Sequence, residues 1–222
     1  MPDAHTNASP VAASLCGQHE GSNMGDILDA REANSRLGGA SFPLRHRLKR
    51  AIWNFVWLGA GVWTPTPFHG WRRSLLRAFG AKIHPRAKVY PGVRVWYPPN
   101  LVMEAYSCLG PGVNCYNMAK IALGEFSIAS QRSHLCAGTH DIDDESFQLQ
   151  AFPINIGARA WVAAESFVGP GVDLGEGSVL GARGVAMKNL DAWGVYVGNP
   201  ARFVRRRGRS DSSPQIGLDI DL

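Results

Sequence analysis

An apolar residue recurs at every sixth position through the second half of the chain. The longest uninterrupted series has six members: Ile156, Val162, Val168, Leu174, Leu180 and Ala186. The residue that follows each member is Gly or Ala in five of the six cases. A period of six fits neither the 3.6-residue period of a helix nor the two-residue period of a strand. It predicts a chain bent into short strands, with each apolar residue pointing inward and the small residue permitting a tight corner.

The same period continues upstream after small shifts of phase. It passes through Ile83, Val89, Val95 and Leu101, then Met103, Leu109 and Cys115, then Leu123, Ala129 and Leu135. Three such sextets would complete one coil of a triangular prism. The sequence therefore predicts a mainly β domain of stacked coils over residues 81–205.

The residues outside the repeat divide into three parts. Residues 1–40 have no sustained period and are predicted to be a disordered tail. Residues 41–80 are predicted to be a helical segment, because Leu44, Leu48 and Ile52 recur at helical spacing. Phe55 and Val56 continue that spacing. Residues 206–222 are assigned to a C-terminal tail.

Positive charge is concentrated before the repeat. The chain carries 23 Lys and Arg against 18 Asp and Glu, and eleven of the basic residues lie between Leu37 and Met103, where no Asp or Glu occurs. A zone of one sign is commonly a solvated face, and it also suits an anionic ligand, nucleic acid or a lipid surface. We expect no nucleic-acid partner. We do expect a peripheral membrane contact through the basic residues of the helical segment, which are Arg45, Arg47, Lys49 and Arg50.

Cysteine usage and hydropathy indicate the compartment. The four cysteines show no CxxC pair, as is typical of reduced intracellular thiols. The most apolar run, Ala51 to Trp63, has 13 residues, and a spanning helix needs about 20. No signal peptide is visible. We therefore expect a cytoplasmic protein, peripheral at the inner membrane face if the basic helix contacts lipid.

Three stretches carry a resemblance to a known family. They read WNFVWLGAGVWTPTPFHGWRRSLLRAFGAKI, LCAGTHD and AWVAAESFVGPGV. Together with the sextets they resemble the hexapeptide-repeat acyltransferases, most closely the colanic-acid biosynthesis acetyltransferases and more distantly the galactoside, maltose and nodulation-factor O-acetyltransferases. The resemblance implies a left-handed parallel β-helix and a homotrimer with active sites between neighbouring prisms. It also implies acetyl-CoA as donor and a saccharide acceptor, free or lipid-linked, in exopolysaccharide biosynthesis.

The repeat breaks between Leu135 and Ile156, where a loop of about a dozen residues begins at Gly138. Loops on rigid scaffolds often carry function. A sugar hydroxyl needs a base to remove its proton, and histidine suits that task near neutral pH. His140 stands in the family's Thr-His-Asp signature, so we expect it to be the general base. The group that orients its imidazole stays open between Asp141 and Asp143.

Further site residues follow from the resemblance. The position of Ala164 implies a backbone amide near the thioester carbonyl of the donor. The positions of Ala182, Lys188 and Arg205 imply contacts with the pantetheine arm and phosphates of coenzyme A. The family's acidic acceptor residues have no counterpart here. The candidates for binding the acceptor are Asn114, Asn117, His134 and Asp141.

Two other classes of function stay open. A γ-type carbonic anhydrase shares the prism but binds zinc through three histidines, and His134, His140 and His84 fit that spacing poorly, so we expect no metal. A catalytically silent trimeric scaffold at a membrane surface would need only the prism and the basic helix. The sequence favours an acetyltransferase, without specifying the sugar or excluding an amine as acceptor.

Overall fold

The structure, a computed structural model, describes residues 41–208. The predicted tail at 1–40, and residues 209–222 of the C-terminal tail predicted at 206–222, lie outside the described residues. Two helices come first, α1 (Leu44–Ala60) and α2 (His69–Ala78), and a short 3-10 turn spans Pro98–Asn100. The strands that follow, in chain order, are β1 (Lys82–Ile83), β2 (Lys88–Val89), β3 (Arg94–Val95), β4 (Leu101–Met103), β5 (Cys108–Leu109), β6 (Asn114–Tyr116), β7 (Ile121–Leu123), β8 (Ile128–Ala129), β9 (His134–Cys136), β10 (Gly138–His140), β11 (Leu149–Ala151), β12 (Ile154–Ile156), β13 (Trp161–Val162), β14 (Phe167–Val168), β15 (Asp173–Leu174), β16 (Val179–Leu180), β17 (Val185–Ala186), β18 (Gly194–Val197) and β19 (Arg202–Arg206).

The strands build a three-sided solenoid of about 6 coils. Face A has the strand order β1-β4-β7-β12-β15, face B has β2-β5-β8-β13-β16-β18-β19, and face C has β3-β6-β9-β14-β17. Pairing on all three faces is parallel, except that β19 returns antiparallel to β18. The predicted mainly β, parallel β-helix fold is confirmed.

The apolar positions of the repeat form the core. Val162 pairs with Ala129 of the preceding coil and with Leu180 of the next, so one face presents a column of inward side chains. All three are fully buried. The prediction that these residues point inward is confirmed.

The small residues of the repeat do not form the tight corners, contrary to the prediction. The left-handed backbone that turns each corner lies two residues beyond the small one, at Arg159, Glu165 and Arg183, with φ of 58°, 59° and 57°. The small residues meet a different constraint, because a Cβ on Gly157 would lie 2.7 Å from the Leu174 carbonyl oxygen of the next coil. Glycine is therefore required there by the close approach of adjacent coils, not by the turn.

The two helices cap the N-terminal end of the solenoid. Trp53 and Trp57 of α1 are buried, and their indole N–H groups donate to the carbonyls of Val95 (2.7 Å) and Val93 (2.8 Å). The side of α1 that packs on the first coil is thus a tryptophan face. Most of the apolar stripe whose spacing predicted the helix, including Leu48 and Phe55, is exposed, and Val56 is half-buried.

Part of the basic zone turns inward. Arg50 lies over the Trp96 ring, 3.9 Å from its centroid, and Arg72 is fully buried. Arg73 and Arg77 donate to main-chain carbonyls of the first coil. Arg50, which the sequence groups with the cations of a membrane contact, therefore packs against an aromatic ring of the first coil. Over residues 41–208, neither helix has the length and hydropathy to cross a bilayer.

Candidate active site

The break in the repeat is a β-hairpin. Strands β10 and β11 pair antiparallel, with His140 opposite Leu149, directly after β9 of face C. The Asp141 amide donates to the Gln148 carbonyl (2.8 Å) and extends the ladder into the turn. The predicted loop therefore holds His140 on ordered backbone at the edge of the third coil.

The imidazole of His140 is held by a single residue of the turn. Its Nδ1 lies 2.9 Å from the carbonyl oxygen of Phe147, and the two rings stack with centroids 4.2 Å apart and planes at 14°. A carbonyl oxygen can only accept, so in the neutral ring Nδ1 carries the proton and Nε2 has the lone pair. The geometry prepares the half-buried ring to take up a proton at Nε2.

The backbone of Phe147 is shaped for this contact. Phe147 has a φ of 52°, in the left-handed region, and its amide donates to the Asp144 carbonyl (2.9 Å). The orienting group is thus a main-chain carbonyl, and neither Asp141 nor Asp143 supplies it. A carbonyl is present in every residue, so no side-chain signal could have marked this one.

Asp141 instead braces the hairpin. One carboxylate oxygen accepts from the Asp143 amide (3.1 Å), and the other accepts from the side-chain amide of Gln150 (3.3 Å). Its carboxylate joins the turn to β11. Asp141 follows His140 directly in the chain, but the hydrogen bonds of its carboxylate join it to the hairpin.

Face C brings two of the acceptor candidates together. The side-chain amide of Asn114 donates to Nε2 of His134 across 3.2 Å, on adjacent coils. The edge of the His134 ring meets Phe167, with centroids 5.3 Å apart. Burial lowers the pKa of His134 and so favours the neutral ring, whose Nε2 can accept. The pair presents a half-buried polar surface on face C.

Asn117 has a structural position. It is fully buried, its carbonyl oxygen accepts from the Tyr97 amide (3.0 Å), and its NH₂ donates to the Tyr97 carbonyl (2.8 Å). Asn100 donates to the Asn117 main-chain carbonyl (3.1 Å). These bonds join the two extra loops that lengthen the first and second coils, and they occupy the amide.

Two of the donor candidates share one corner of the prism. Ala164 and Ala182 both follow a face B strand and precede a face C strand, one coil apart, and the Ala164 carbonyl accepts from the amide of Arg183 (2.9 Å). Within the described part of the chain, no backbone hydrogen bond uses the amide of either alanine. The corner therefore offers two unused N–H donors at the spacing of adjacent strands, about 4.8 Å.

Charged side chains flank the same corner. The Glu165 carboxylate lies 2.8 Å from Arg132 of the coil before and 2.8 Å from Arg183 of the coil after. The hydrogen bond and charge of Arg183, with the charge of Arg132, lower the pKa of Glu165. One acid between two cations leaves one net positive charge along this edge.

The remaining donor candidates lie elsewhere. Lys188 is exposed just after β17, on the far side of face C from Ala182. Arg205 is exposed on β19, opposite Val195 of face B, and one of its guanidinium nitrogens donates to the Arg206 carbonyl (3.1 Å). The structure thus places Ala164 and Ala182 at one corner, Lys188 beyond β17 and Arg205 on β19.

Within residues 41–208, no group of three or more His, Cys, Asp or Glu side chains is arranged to hold a metal ion. His134 pairs with Asn114, and His140 with Phe147.

The chain is similar to named acetyltransferases. It is 40% identical over 175 residues to the protein named “Putative colanic acid biosynthesis acetyltransferase WcaF” of Escherichia coli (strain K12), covering 77% of this chain and 96% of that protein. No family model matches the sequence.

Two solved structures share the fold. A hexapeptide-repeat acetyltransferase of Vibrio cholerae, solved with acetyl-CoA, aligns with a TM-score of 0.67 at 19% identity, covering 75% of this chain and 91% of the other. A galactoside acetyltransferase solved with coenzyme A aligns with a TM-score of 0.62 at 22% identity, covering 82% and 92%. These relatives do not favour the carbonic anhydrase or the silent scaffold. The repeat, the solenoid and the match to nearly the whole of the Escherichia coli protein show that the chain belongs to the hexapeptide-repeat acetyltransferase family.

Proposed function

We propose that the protein transfers the acetyl group of acetyl-CoA to a hydroxyl of a saccharide, with His140 as the general base. The observation that carries this proposal is the contact between His140 Nδ1 and the Phe147 carbonyl at 2.9 Å. That contact fixes the tautomer in which Nε2 is a free base. A histidine held this way on a rigid hairpin is prepared for proton transfer before substrate arrives.

The reaction needs no covalent enzyme intermediate. Nε2 of His140 takes the proton of the acceptor hydroxyl as its oxygen attacks the thioester carbonyl carbon. The C–S bond then breaks, and the departing thiolate receives the proton from the imidazolium. The Phe147 carbonyl stabilises that imidazolium through its hydrogen bond to Nδ1.

The donor is proposed to lie along the corner that holds Ala164 and Ala182. The unused amide of Ala164 would donate to the carbonyl oxygen as negative charge develops there, and that of Ala182 would bind the pantetheine arm. Lys188 and Arg205 are proposed to contact the phosphates. The Vibrio and galactoside acetyltransferases of the same fold were solved with acetyl-CoA and coenzyme A, which supports this donor.

The acceptor is proposed to be a sugar of an exopolysaccharide or of its lipid-linked precursor. The names of the colanic acid and galactoside relatives support a saccharide. Asn114 and His134 offer half-buried polar groups on face C for its hydroxyls. Asn117 is not part of this proposal, because its side chain is buried and both of its polar atoms are bonded to Tyr97.

The active unit is proposed to be a cytoplasmic homotrimer of roughly three times 24.1 kDa. Ile128 and Trp161 pair on adjacent strands of face B and expose their side chains, although the Trp161 indole donates to Ser130 (2.8 Å). An exposed apolar pair on a flat strand face is typical of a subunit contact. Light scattering of the purified protein measures the mass directly.

The test is an acceptor screen with radiolabelled acetyl-CoA, followed by kinetics of His140→Ala. We expect kcat to fall by about 10²–10⁴, the usual contribution of a positioned base, with unchanged coenzyme A affinity. His84→Ala is the matched control, since His84 is an exposed histidine of the first coil. Turnover of His140→Ala within threefold of wild type would contradict the assignment of the base.

A further inference from the structure

Helix α1 has a second apolar face, on the side away from the solenoid. Leu44, Leu48 and Phe55 expose 75%, 58% and 81% of their surface. At 100° per residue, Leu48 and Phe55 lie roughly opposite the buried Trp53. The solenoid uses the tryptophan face and leaves this outer face unpartnered among the described residues.

Aromatic side chains extend the outer face beyond α1. Trp63 and Trp71 are exposed, and their indole N–H groups donate to the carbonyls of Gly59 (2.9 Å) and Ala60 (2.7 Å) at the end of α1. Phe68 is exposed at the start of α2. These aromatic side chains adjoin the C-terminal end of α1, and we call them, together with the outer apolar face of α1, the cap surface.

The charge around the cap surface has one sign. Arg45, Arg47 and Lys49 are exposed on α1. At 100° per residue, Arg47 lies on one side of the outer apolar face, and Arg45 and Lys49 lie on the other. No Asp or Glu occurs between residues 41 and 103, so no acid of the cap neutralises these cations.

The basic residues of the cap divide into two sets. Arg50 is half-buried and stacks on Trp96, and Arg72 is fully buried in a network of carbonyls. Arg45, Arg47 and Lys49 remain available to an external partner. This division identifies which of the helix cations can act at a surface.

We propose that the cap surface docks on an anionic lipid bilayer. An apolar helix face bordered on both sides by cations fits the boundary between acyl chains and acidic headgroups, and exposed tryptophans favour that boundary. A second copy of this chain fits less well, because an isologous contact would bring Arg45, Arg47 and Lys49 against their own symmetry mates. The active site would then be held near a lipid-linked acceptor.

The experiment is flotation of the full chain with vesicles of phosphatidylcholine, with and without phosphatidylglycerol. We expect binding only when phosphatidylglycerol is present. Each cation near an acidic surface changes partitioning by about fivefold, so the triple variant R45Q/R47Q/K49Q should bind about 100-fold more weakly. The variant L48S/F55S should lose at least about tenfold, since both side chains would leave apolar surroundings.

Matched controls lie at the other end of the solenoid. Arg202→Gln and Val204→Ser remove an exposed cation and an exposed apolar side chain of β19, and both should bind vesicles like wild type. Thermal unfolding should be unchanged in all four variants, because the replaced side chains are exposed.

Two results would overturn the proposal. One is equal flotation of R45Q/R47Q/K49Q and wild type. The other is retained flotation of L48S/F55S together with a lower mass in light scattering, which would make the cap surface a contact between copies. Neither result touches the acetyl-transfer assay of His140, so the inference fails separately from the proposed function.

Discussion

Replacing Ala164 with proline would remove one N–H group from the proposed donor site and leave the solenoid standing. The corner position of Ala164, two residues after an inward apolar residue, already holds proline in four other sextets: Pro85, Pro91, Pro111 and Pro170. The residue after Ala164 has a φ of 59°, which makes Ala164 the second residue of a turn where proline is favoured. The Ala164 amide makes no backbone hydrogen bond that the fold would lose.

The expected cost falls on catalysis. Loss of one oxyanion donor lowers kcat by about 10²–10³, or about 2.7–4 kcal/mol of transition-state stabilisation. The Michaelis constant for acetyl-CoA should change far less, because the amide bonds an oxygen that becomes charged only during the reaction. Steady-state kinetics with varied acetyl-CoA separates the two parameters.

Ala158→Pro is the matched control for this experiment. Ala158 occupies the equivalent position at the preceding corner, between faces A and B, and its amide is likewise unused among the described residues. Both variants should unfold near the wild-type temperature, and only Ala164→Pro should lose turnover. Equal losses in the two variants, or a kcat for Ala164→Pro within threefold of wild type, would refute an oxyanion role for this amide.

Three further perturbations follow from the same structure. The buried guanidinium of Arg72 donates five hydrogen bonds, to Val89 O (2.7 Å), Thr64 O (3.0 Å), Thr64 Oγ1 (2.7 Å), Pro65 O (2.9 Å) and Thr66 O (2.7 Å). In urea titrations, Arg72→Met should therefore lower the free energy of unfolding by about 3–5 kcal/mol, whereas Arg47→Met, at an exposed position, should change it by almost nothing. Lys188→Ala or Arg205→Ala should raise the KM for acetyl-CoA several-fold and leave kcat nearly unchanged. The rise in KM should be smaller with a donor that lacks the 3′-phosphate. A fall in kcat alone would contradict the proposed contact of these residues with the phosphates. Burial lowers the pKa of His46, His69 and His134 in the folded protein. Below a pH of about 6.5 the unfolded chain therefore binds more protons than the folded chain, and the free energy of unfolding should fall as the pH drops from 7.5 to 5. A urea midpoint that stays constant over that range would contradict this.

The sextet period was sufficient to predict the fold. Apolar residues spaced six apart can be buried together only if the chain turns every six residues. The period therefore predicts that Val162 and Leu180 point inward, and both are fully buried. The function of the small residues was not predictable in the same way. Gly157 is limited by the carbonyl of Leu174 in the next coil, and a contact 17 residues away leaves no local pattern.

The cap shows a second limit of sequence reasoning. Helical spacing correctly marked α1, but it could not distinguish the tryptophan face from the leucine face, since both are apolar. Trp53 is buried because its indole N–H reaches the Val95 carbonyl at the open end of the first coil, where no further strand completes the pairing. Arg72 is buried for a related reason, since carbonyls take the place of the acidic partners that the sequence lacks.

The candidate site extends the same reasoning to chemistry. Two elements of the proposed site belong to the main chain: the Phe147 carbonyl that orients His140, and the Ala164 amide that is proposed to bind the donor. Any residue type can supply a carbonyl, and any residue except proline can supply an amide, so neither element constrains the side chain at its position. Of these three elements, only His140 needs a particular side chain, because a neutral imidazole combines an N–H donor to Phe147 with a free lone pair. That side chain can be read from the sequence, while the two main-chain elements are defined by the geometry of the coils.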